Sequence, residues 1–367
     1  MSPWTKNVPV QKVADSPHPR VPRRAGVFSR AFFAGIAVLS LVSAFFTFSP
    51  SQLNMYTYNL CLLAVLGALA LNLLMGTVGQ ASLGNAAFIA VGGFSTAFLD
   101  QHGVGAPLDV LLSAAAAAVI GIVVGFPALR IRGLYLVLAT LAAYYIVIYF
   151  ANEYTSDTVG GSGFQIAIFF QNESLIDIQR LWIWLLTAVV VAVLVVLRCI
   201  DRNRVGRAWR LIRDHEVAAP AVGITVARYK LGAFALSSAL LGLEGSLLAH
   251  FTGSVTVDAY PLALSIAYVA MVLLGGLDSM LGAVIGAGLV TAIPIVVPEW
   301  ISHFQANGSS TEIGANIATI IYGLLIIFFI TRSQRGIGDW LNALGRRIWG
   351  WWRRRSAAAG EEHAAEA

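Results

Sequence analysis

The sequence predicts an all-α polytopic membrane protein with about ten transmembrane helices and both termini in the cytoplasm. Three observations carry this. First, 57% of the residues are hydrophobic and 12% are charged, whereas ordinary soluble domains carry about a quarter charged residues. A soluble chain of 367 residues would need a charged surface that this one cannot make, so its solvent is lipid. Second, ten apolar runs come close to the ~20 residues a helix needs to cross a bilayer. Third, threading those runs as alternating spans puts all of the 24 lysines and arginines except Arg180 on one face. Short loops rich in Lys and Arg stay cytoplasmic, so the basic face is the inner one.

Residues 1–30 are polar, Pro-containing and basic, and are expected to be a disordered cytoplasmic N-terminus. The run 31–48 is long for a signal peptide, and Ser49-Pro50-Ser51 is a poor small-x-small cleavage site. It therefore reads as an uncleaved first span, opening a transmembrane domain that continues to residue 331. Spans follow at 54–75 and 82–99, with a break from Gly76 to Asn85 between them. Gly76, Gly79 and Gly84 discourage a straight helix there, while Gln80, Ser82 and Asn85 place polar groups at membrane depth. Irregular backbone at that depth is tolerated only when protein buries it or when it lines a cavity. The break is thus a candidate substrate path, set against plain small-residue packing.

The spans 108–129 and 133–151 flank Arg130 and Arg132, and Gly121-x-x-x-Gly125 is a packing motif within the first of them. A polar, Gly-rich outer loop, 152–179, precedes the span 180–198. The inner loop 198–230 is densely basic and leads to 229–251, which carries Glu244 near its middle. The runs 262–277 and 279–298 are separated by Gly275-Gly276-Leu277-Asp278-Ser279, and the last span is 313–331. In the cytoplasmic tail, 332–367, Trp340, Trp349, Trp351 and Trp352 lie among arginines, which suits a helix in the headgroup region. A weak echo relates Gly79–Gly84 to Gly276–Gly282, each following a span that runs from outside to inside.

Several function classes are excluded. None of the three lysines, Lys6, Lys12 and Lys230, follows a glycine, so no phosphate-binding G-x-x-x-x-G-K-[ST] loop exists. The chain is expected to bind no cofactor of its own. The six histidines lack metal-ligand spacing, no metal site is expected, and no carboxylate–histidine relay within the spans is evident. Cys61 and Cys199 suggest neither a disulfide framework nor a metal cluster. The formal charge of +5 sits beside apolar spans, where its partner is anionic lipid and not nucleic acid.

Within the inner loop, Ala208, Leu211, Ile212 and Ala219 make a partial helical stripe ahead of a short amphipathic piece that ends at Gly223. By physics alone this suits either a docking surface or a solvated interfacial helix. Glu216-x-Ala218-Ala219-x-x-x-Gly223, with one residue inserted after the Glu, resembles the EAA-x-x-x-G coupling loop of ATP-binding cassette importer permeases. The stretch RAWRLIRDHEVAAPAVGITVARYKLGAFALSSALLG (207–242) is similar to that loop in the M-type subunit of the branched-chain amino acid permease family. So are LNLLMGTVGQASLGNAAFIAVGGF (71–94), ALRIRGLYLVLATLA (128–142) and LSIAYVAMVLLGGLDSMLGAVIGA (264–287), in the family's order.

The resemblance implies a bacterial inner-membrane importer in which two different permease subunits form the pore. Two ATPase subunits, which hold the ATP and Mg, dock on the coupling loops, and an extracytoplasmic binding protein delivers leucine, isoleucine or valine. It also implies that Asp214, Glu216, Ala218, Ala219 and Gly223 lie in a helix entering the ATPase. Asn85 stands where the family commonly has His, Asp278 where Gly is usual, and Thr158-Val159-Gly160-Gly161-Ser162-Gly163 departs from its outer-loop pattern. These changes bear on the substrate more than on the fold. Glu244 has two readings, a pathway group meeting the substrate ammonium or a hydrogen-bonded group buried at a subunit interface beside Ser237, Ser238 and Ser246. The expected function is ATP-driven uptake of branched-chain or other apolar amino acids. A permease for urea or short amides, and a stand-alone passive facilitator, are the alternatives.

Overall fold

The apolar runs fold as helices because a bilayer offers no water to backbone polar groups, and a helix satisfies them within its own segment. The computed structural model describes residues 25–48, 51–128, 133–169, 174–277, 279–304, 320, 323 and 324. Among them are ten α-helices. They are α1 (Ala25–Thr47), α2 (Gln52–Asn72), α3 (Asn85–Gln101), α4 (Leu108–Ala128), α5 (Leu134–Val159), α6 (Leu175–Arg202), α7 (Arg204–Asp214), α8 (Val226–Thr252), α9 (Leu262–Gly275) and α10 (Met280–Phe304). Helix α2 continues as a π-helical turn, Leu73–Thr77. Two short strands, β1 (Phe164–Gln165) and β2 (Ser254–Val255), pair antiparallel, with Phe164 opposite Val255.

The first nine expected spans each correspond to a helix, α7 being an addition contributed by the inner loop. Among the described residues, six helical segments are long and apolar enough to cross a membrane: Gln52–Thr77, Leu108–Pro127, Tyr135–Val159, Leu175–Arg202, Val226–Thr252 and Val257–Gly275. Gly35–Thr47 and Met280–Val296 are shorter apolar helices. Helix α3 has 17 residues and begins only at Asn85, because the break consumes the start of the expected span. Almost all of the expected span 313–331, the terminal segments 1–24 and 332–367 with the orientation of both termini, Arg130, Arg132 and Asp278 lie outside the described residues.

The outer loop is shorter than the expected 152–179. Helix α5 runs on to Val159 and is ended by Gly160 in the left-handed region at φ 61°. Helix α6 starts at Leu175, where the Ser174 hydroxyl accepts from the Asp177 amide at 3.3 Å. Arg180, the lone cation expected outside, lies 3.4 Å from Asp177 and donates through Nε to the Thr47 carbonyl at the end of α1, 3.1 Å away. A cation at a helix C-terminus meets unpaired carbonyls and the negative end of the helix dipole.

Helix α8 sits at the centre of the bundle, where small residues let backbones touch. A Cβ built on Gly92 would collide with the Gly242 carbonyl, and one on Gly245 with the Ile89 carbonyl, so α3 crosses α8 in near-backbone contact. Gly121 faces Ser238, and Gly125 faces Leu231 and Phe234, which makes the expected packing motif the α4–α8 contact. Gly282 and Gly286 meet the Gly275 and Met271 carbonyls and join α10 to α9 in the same way. The apolar window of α2 is 78% buried against 28% in α4 and α5, so α2 is a core helix and the outer two present apolar faces to their surroundings.

Gly245→Val should destabilise the protein by about 1–3 kcal/mol, the usual cost of overpacking. Gly288→Ala, whose Cβ meets nothing within 4 Å, should be neutral. Thermal unfolding in detergent compares them, and equal midpoints would contradict a tight α3–α8 crossing.

Candidate functional site

Three glycines and three amide or hydroxyl side chains make the break after α2, and the structure shows how its backbone is held. The Gln80 amide donates to the Leu74 carbonyl at 3.0 Å, folding the π-helical end back on itself. Gly79 adopts φ +78°, which only glycine takes without strain. The Leu83 amide donates to Thr140 Oγ1 of α5 at 3.1 Å, and the Gly84 amide to Ser82 Oγ at 3.2 Å. The Ala86 amide, in the first turn of α3, donates to Ser265 Oγ of α9 at 2.9 Å. Partners from separate helices therefore replace the ladder that the break interrupts.

Gln80, Ser82 and Asn85 are all buried. Gln80 Oε1, Asn85 Oδ1 and the neighbouring Asn72 Oδ1 have no hydrogen-bond donor among the described residues. A buried polar group without a partner costs about 1–3 kcal/mol, so three such acceptors on one segment are poor packing and a suitable lining for a hydrogen-bonding solute. Gly76 lies against the Leu277 carbonyl, which brings the α9–α10 turn onto the break.

The inner loop is a braced platform. Trp209 of α7 is buried and donates through Nε1 to the Tyr229 carbonyl at 2.8 Å. Arg210 pairs with Asp201 and also donates to its carbonyl at 3.0 Å, while Arg198 lies 3.4 Å from the same carboxylate. Lys230 Nζ lies 2.8 Å from Glu216 Oε2. Asp214 to Gly223 is not one helix, contrary to what the resemblance implies. Helix α7 ends at Asp214, and a turn and a 3₁₀ turn, Ala219–Val222, follow. Pro220, which lacks an N–H, opens that turn, and Gly223 closes it at φ +80°. Asp214, Ala218 and Gly223 are exposed, Ala219 is buried beneath the turn, and Glu216 points inward to Lys230. Val217 and Val222, 85% and 66% exposed, form the apolar tip.

The loop and the break meet at Arg213, whose Nη1 donates to the Gly76 carbonyl at 2.5 Å. Glu244 stands apart from both. Its carboxylate is 2% exposed, takes the Tyr268 hydroxyl on Oε1, and presses Oε2 against Gly67. It forms no hydrogen bond with Gln80, Ser82 or Asn85 in the described contacts. It lies inside the chain between α2, α8 and α9. Two of its neighbouring serines turn elsewhere, Ser237 to the Ala70 carbonyl at 2.8 Å and Ser246 to Thr96 at 2.6 Å.

Sequence reasoning missed one pair, having found no carboxylate–histidine relay. Asp109 in the first turn of α4 and His250 in the last turn of α8 are buried 2.7 Å apart. They lie at the end of the bundle opposite the inner loop. His250 Nδ1 lies 2.9 Å from the Ala167 carbonyl oxygen, and Nε2 faces Asp109 Oδ2. Phe169 stacks on the imidazole at 4.1 Å, and the Val110 amide donates to Asp109 Oδ1 at 2.7 Å. The pair pins the outer loop to α8 beside the β1–β2 ladder. The one available signal was two titratable residues at the same end of antiparallel spans. Removing one partner of a buried pair costs about 3–5 kcal/mol, so His250→Ala and Asp109→Ala should each lower the unfolding midpoint strongly. The double variant should lose far less than their sum, and additive losses would contradict the pairing.

The sequence profile of a family described as the permease component of the branched-chain amino acid transport system matches residues 53–330. The high-affinity branched-chain amino acid transport system permease protein LivM of Salmonella typhimurium is 29% identical over 328 residues, covering 82% of this chain and 73% of its own. The LivM protein of Escherichia coli is 28% identical over 333 residues, covering 84% of this chain and 75% of its own. No solved structure matches the chain. Since the matched residues run from the start of α2 to beyond α10 and include both the break and the braced loop, the chain belongs to the branched-chain amino acid transport permease family, as a multi-pass membrane permease.

Proposed function

We propose that the chain is the M-type permease subunit of an ATP-binding cassette importer that takes up branched-chain or other apolar amino acids. The observation that carries the reading is the inner loop, a rigid platform with an exposed apolar tip that is bonded directly to the break. In this reading the loop faces the cytoplasm and two ATPase subunits hold ATP and Mg against it. A second permease covers apolar surface such as that of α4 and α5, and an extracytoplasmic binding protein delivers the substrate to the opposite end. The printed names of the two relatives support a branched-chain substrate, and the chain covers about three quarters of each.

The mechanism is alternating access. ATP closes the ATPases, the loop is displaced, and the break between α2 and α3 changes which side it faces. Gln80, Ser82 and Asn85 would meet the polar backbone end of an amino acid, with the side-chain carbonyl oxygens of Gln80 and Asn85 accepting from its ammonium. The same acceptors suit the N–H groups of urea or a short amide, which makes that the second reading. Uptake of labelled leucine in competition with urea and acetamide separates the two.

Val217 and Val222 extend from the fold, so charging them alters docking without touching packing. Val217→Asp and Val222→Asp should abolish co-purification of the ATPase subunits while the permease's unfolding midpoint stays unchanged. Full retention of the ATPases by both variants would remove this turn as the dock, whereas transport that survives ATP depletion in vesicles would favour a stand-alone facilitator.

A further inference from the structure

We propose that Arg213 is the positioning residue that transmits movement of the inner loop to the break after α2. The proposal deepens the importer reading and rests on it. The other bonds of α7 given above run to neighbours in the chain, from Trp209 to Tyr229 and from Arg210 to Asp201. Arg213 reaches 137 positions back along the sequence to the Gly76 carbonyl.

The chemistry of the bond fits this task. Gly76 lies in the π-helical turn that ends α2, where carbonyls lack intrahelical donors and the helix dipole is negative. The guanidinium divides its fork, giving Nη1 to Gly76 at 2.5 Å and Nε to Asp214 at 3.1 Å. A planar, permanently charged fork can hold two acceptors in fixed geometry, which an ammonium cannot. Gly79 supplies the room. A Cβ there would lie 2.9 Å from Arg213 Cγ, so the missing side chain lets the arginine stem cross the break.

Both ends of the link are stiff. Lys230–Glu216 and Trp209–Tyr229 tie the loop to α8, so displacement of the docking turn carries Arg213 with it. Beyond Gly76, the bond from the Gln80 amide to the Leu74 carbonyl closes residues 74–80 into one unit. A pull on the Gly76 carbonyl therefore moves Gln80, and with it the segment bearing Ser82 and Asn85. Coupling of this kind needs a contiguous physical connection between two elements that change state, and Arg213 provides it.

The test uses the full complex, permease pair with ATPases and binding protein, in proteoliposomes with labelled leucine as the probe. ATP hydrolysis and leucine uptake are measured together for wild type, Arg213→Gln and Arg213→Lys, each normalised to assembled complex. Arg213→Gln should keep its ATPases and hydrolyse ATP near the wild-type rate, while leucine moved per ATP falls about fivefold or more. Arg213→Lys, which retains a charged donor for Gly76 but not the fork that also holds Asp214, should recover only part of that ratio. An unchanged ratio in Arg213→Gln overturns the proposal. So does a parallel loss of assembly, hydrolysis and uptake in both variants, which would mark Arg213 as structural only. A wild-type complex that recruits no ATPase, or hydrolyses ATP without moving leucine, overturns the importer reading and this proposal with it.

Discussion

Backbone that leaves the helix inside a membrane must find its hydrogen bonds in protein, and the break after α2 is where this constraint falls hardest. The residues between Thr77 and Asn85 have no ladder, so Leu83 recruits Thr140 from α5, while at the two edges Ala86 recruits Ser265 from α9 and Gly76 recruits Arg213 from α7. One interruption of seven residues thereby fixes the relative positions of several helices. It also explains the short α3. That helix cannot begin until Ser82 and Gly84 have turned the chain, and once begun it is buried against α8.

The bundle around this break is held by close backbone approach more than by polar bonds. Interhelical hydrogen bonds in membranes contribute about 0.6 kcal/mol on average, so the Thr96, Ser113 and Ser246 cluster adds modestly to stability and chiefly specifies register. The glycine contacts of α8 with α3 and α4 do more, because they set the distance at which every other pair meets. Buried ionisable groups are different. Asp109 with His250 and Glu244 with Tyr268 are satisfied in part by specific partners, and each position would be costly without them.

Much of this was legible in the sequence. Ten apolar runs and one-sided basic charge pointed to the spans, and nine of those runs are helices α1 to α6 and α8 to α10. The break stood out because glycine and polar residues interrupt an apolar pattern, and the inner loop because charge concentrates there. What stayed hidden depends on tertiary distance. Asp109 and His250 are 141 positions apart and meet only when α4 and α8 pack antiparallel. Arg213 read as one of several arginines in the basic inner loop, since its bond to Gly76 spans 137 positions. The motif around Glu216 suggested a helix, but Pro220 and Gly223 divide it into turns. The reach of α5 to Val159 was masked by polar residues in its last turns, which helix propensity tolerates and a hydropathy window does not.

The account stands or falls on whether the break lines a path that changes sides. The direct measurement is the labelling rate of Ser82→Cys, with Cys61 and Cys199 replaced by serine, by a membrane-impermeant thiol reagent applied from either face of the assembled complex. The account predicts labelling from one face without nucleotide, a switch of the reactive face when ATP is bound without hydrolysis, and protection by substrate. A thiol that stays unlabelled from both faces in both states would make the break a packing feature and contradict the account.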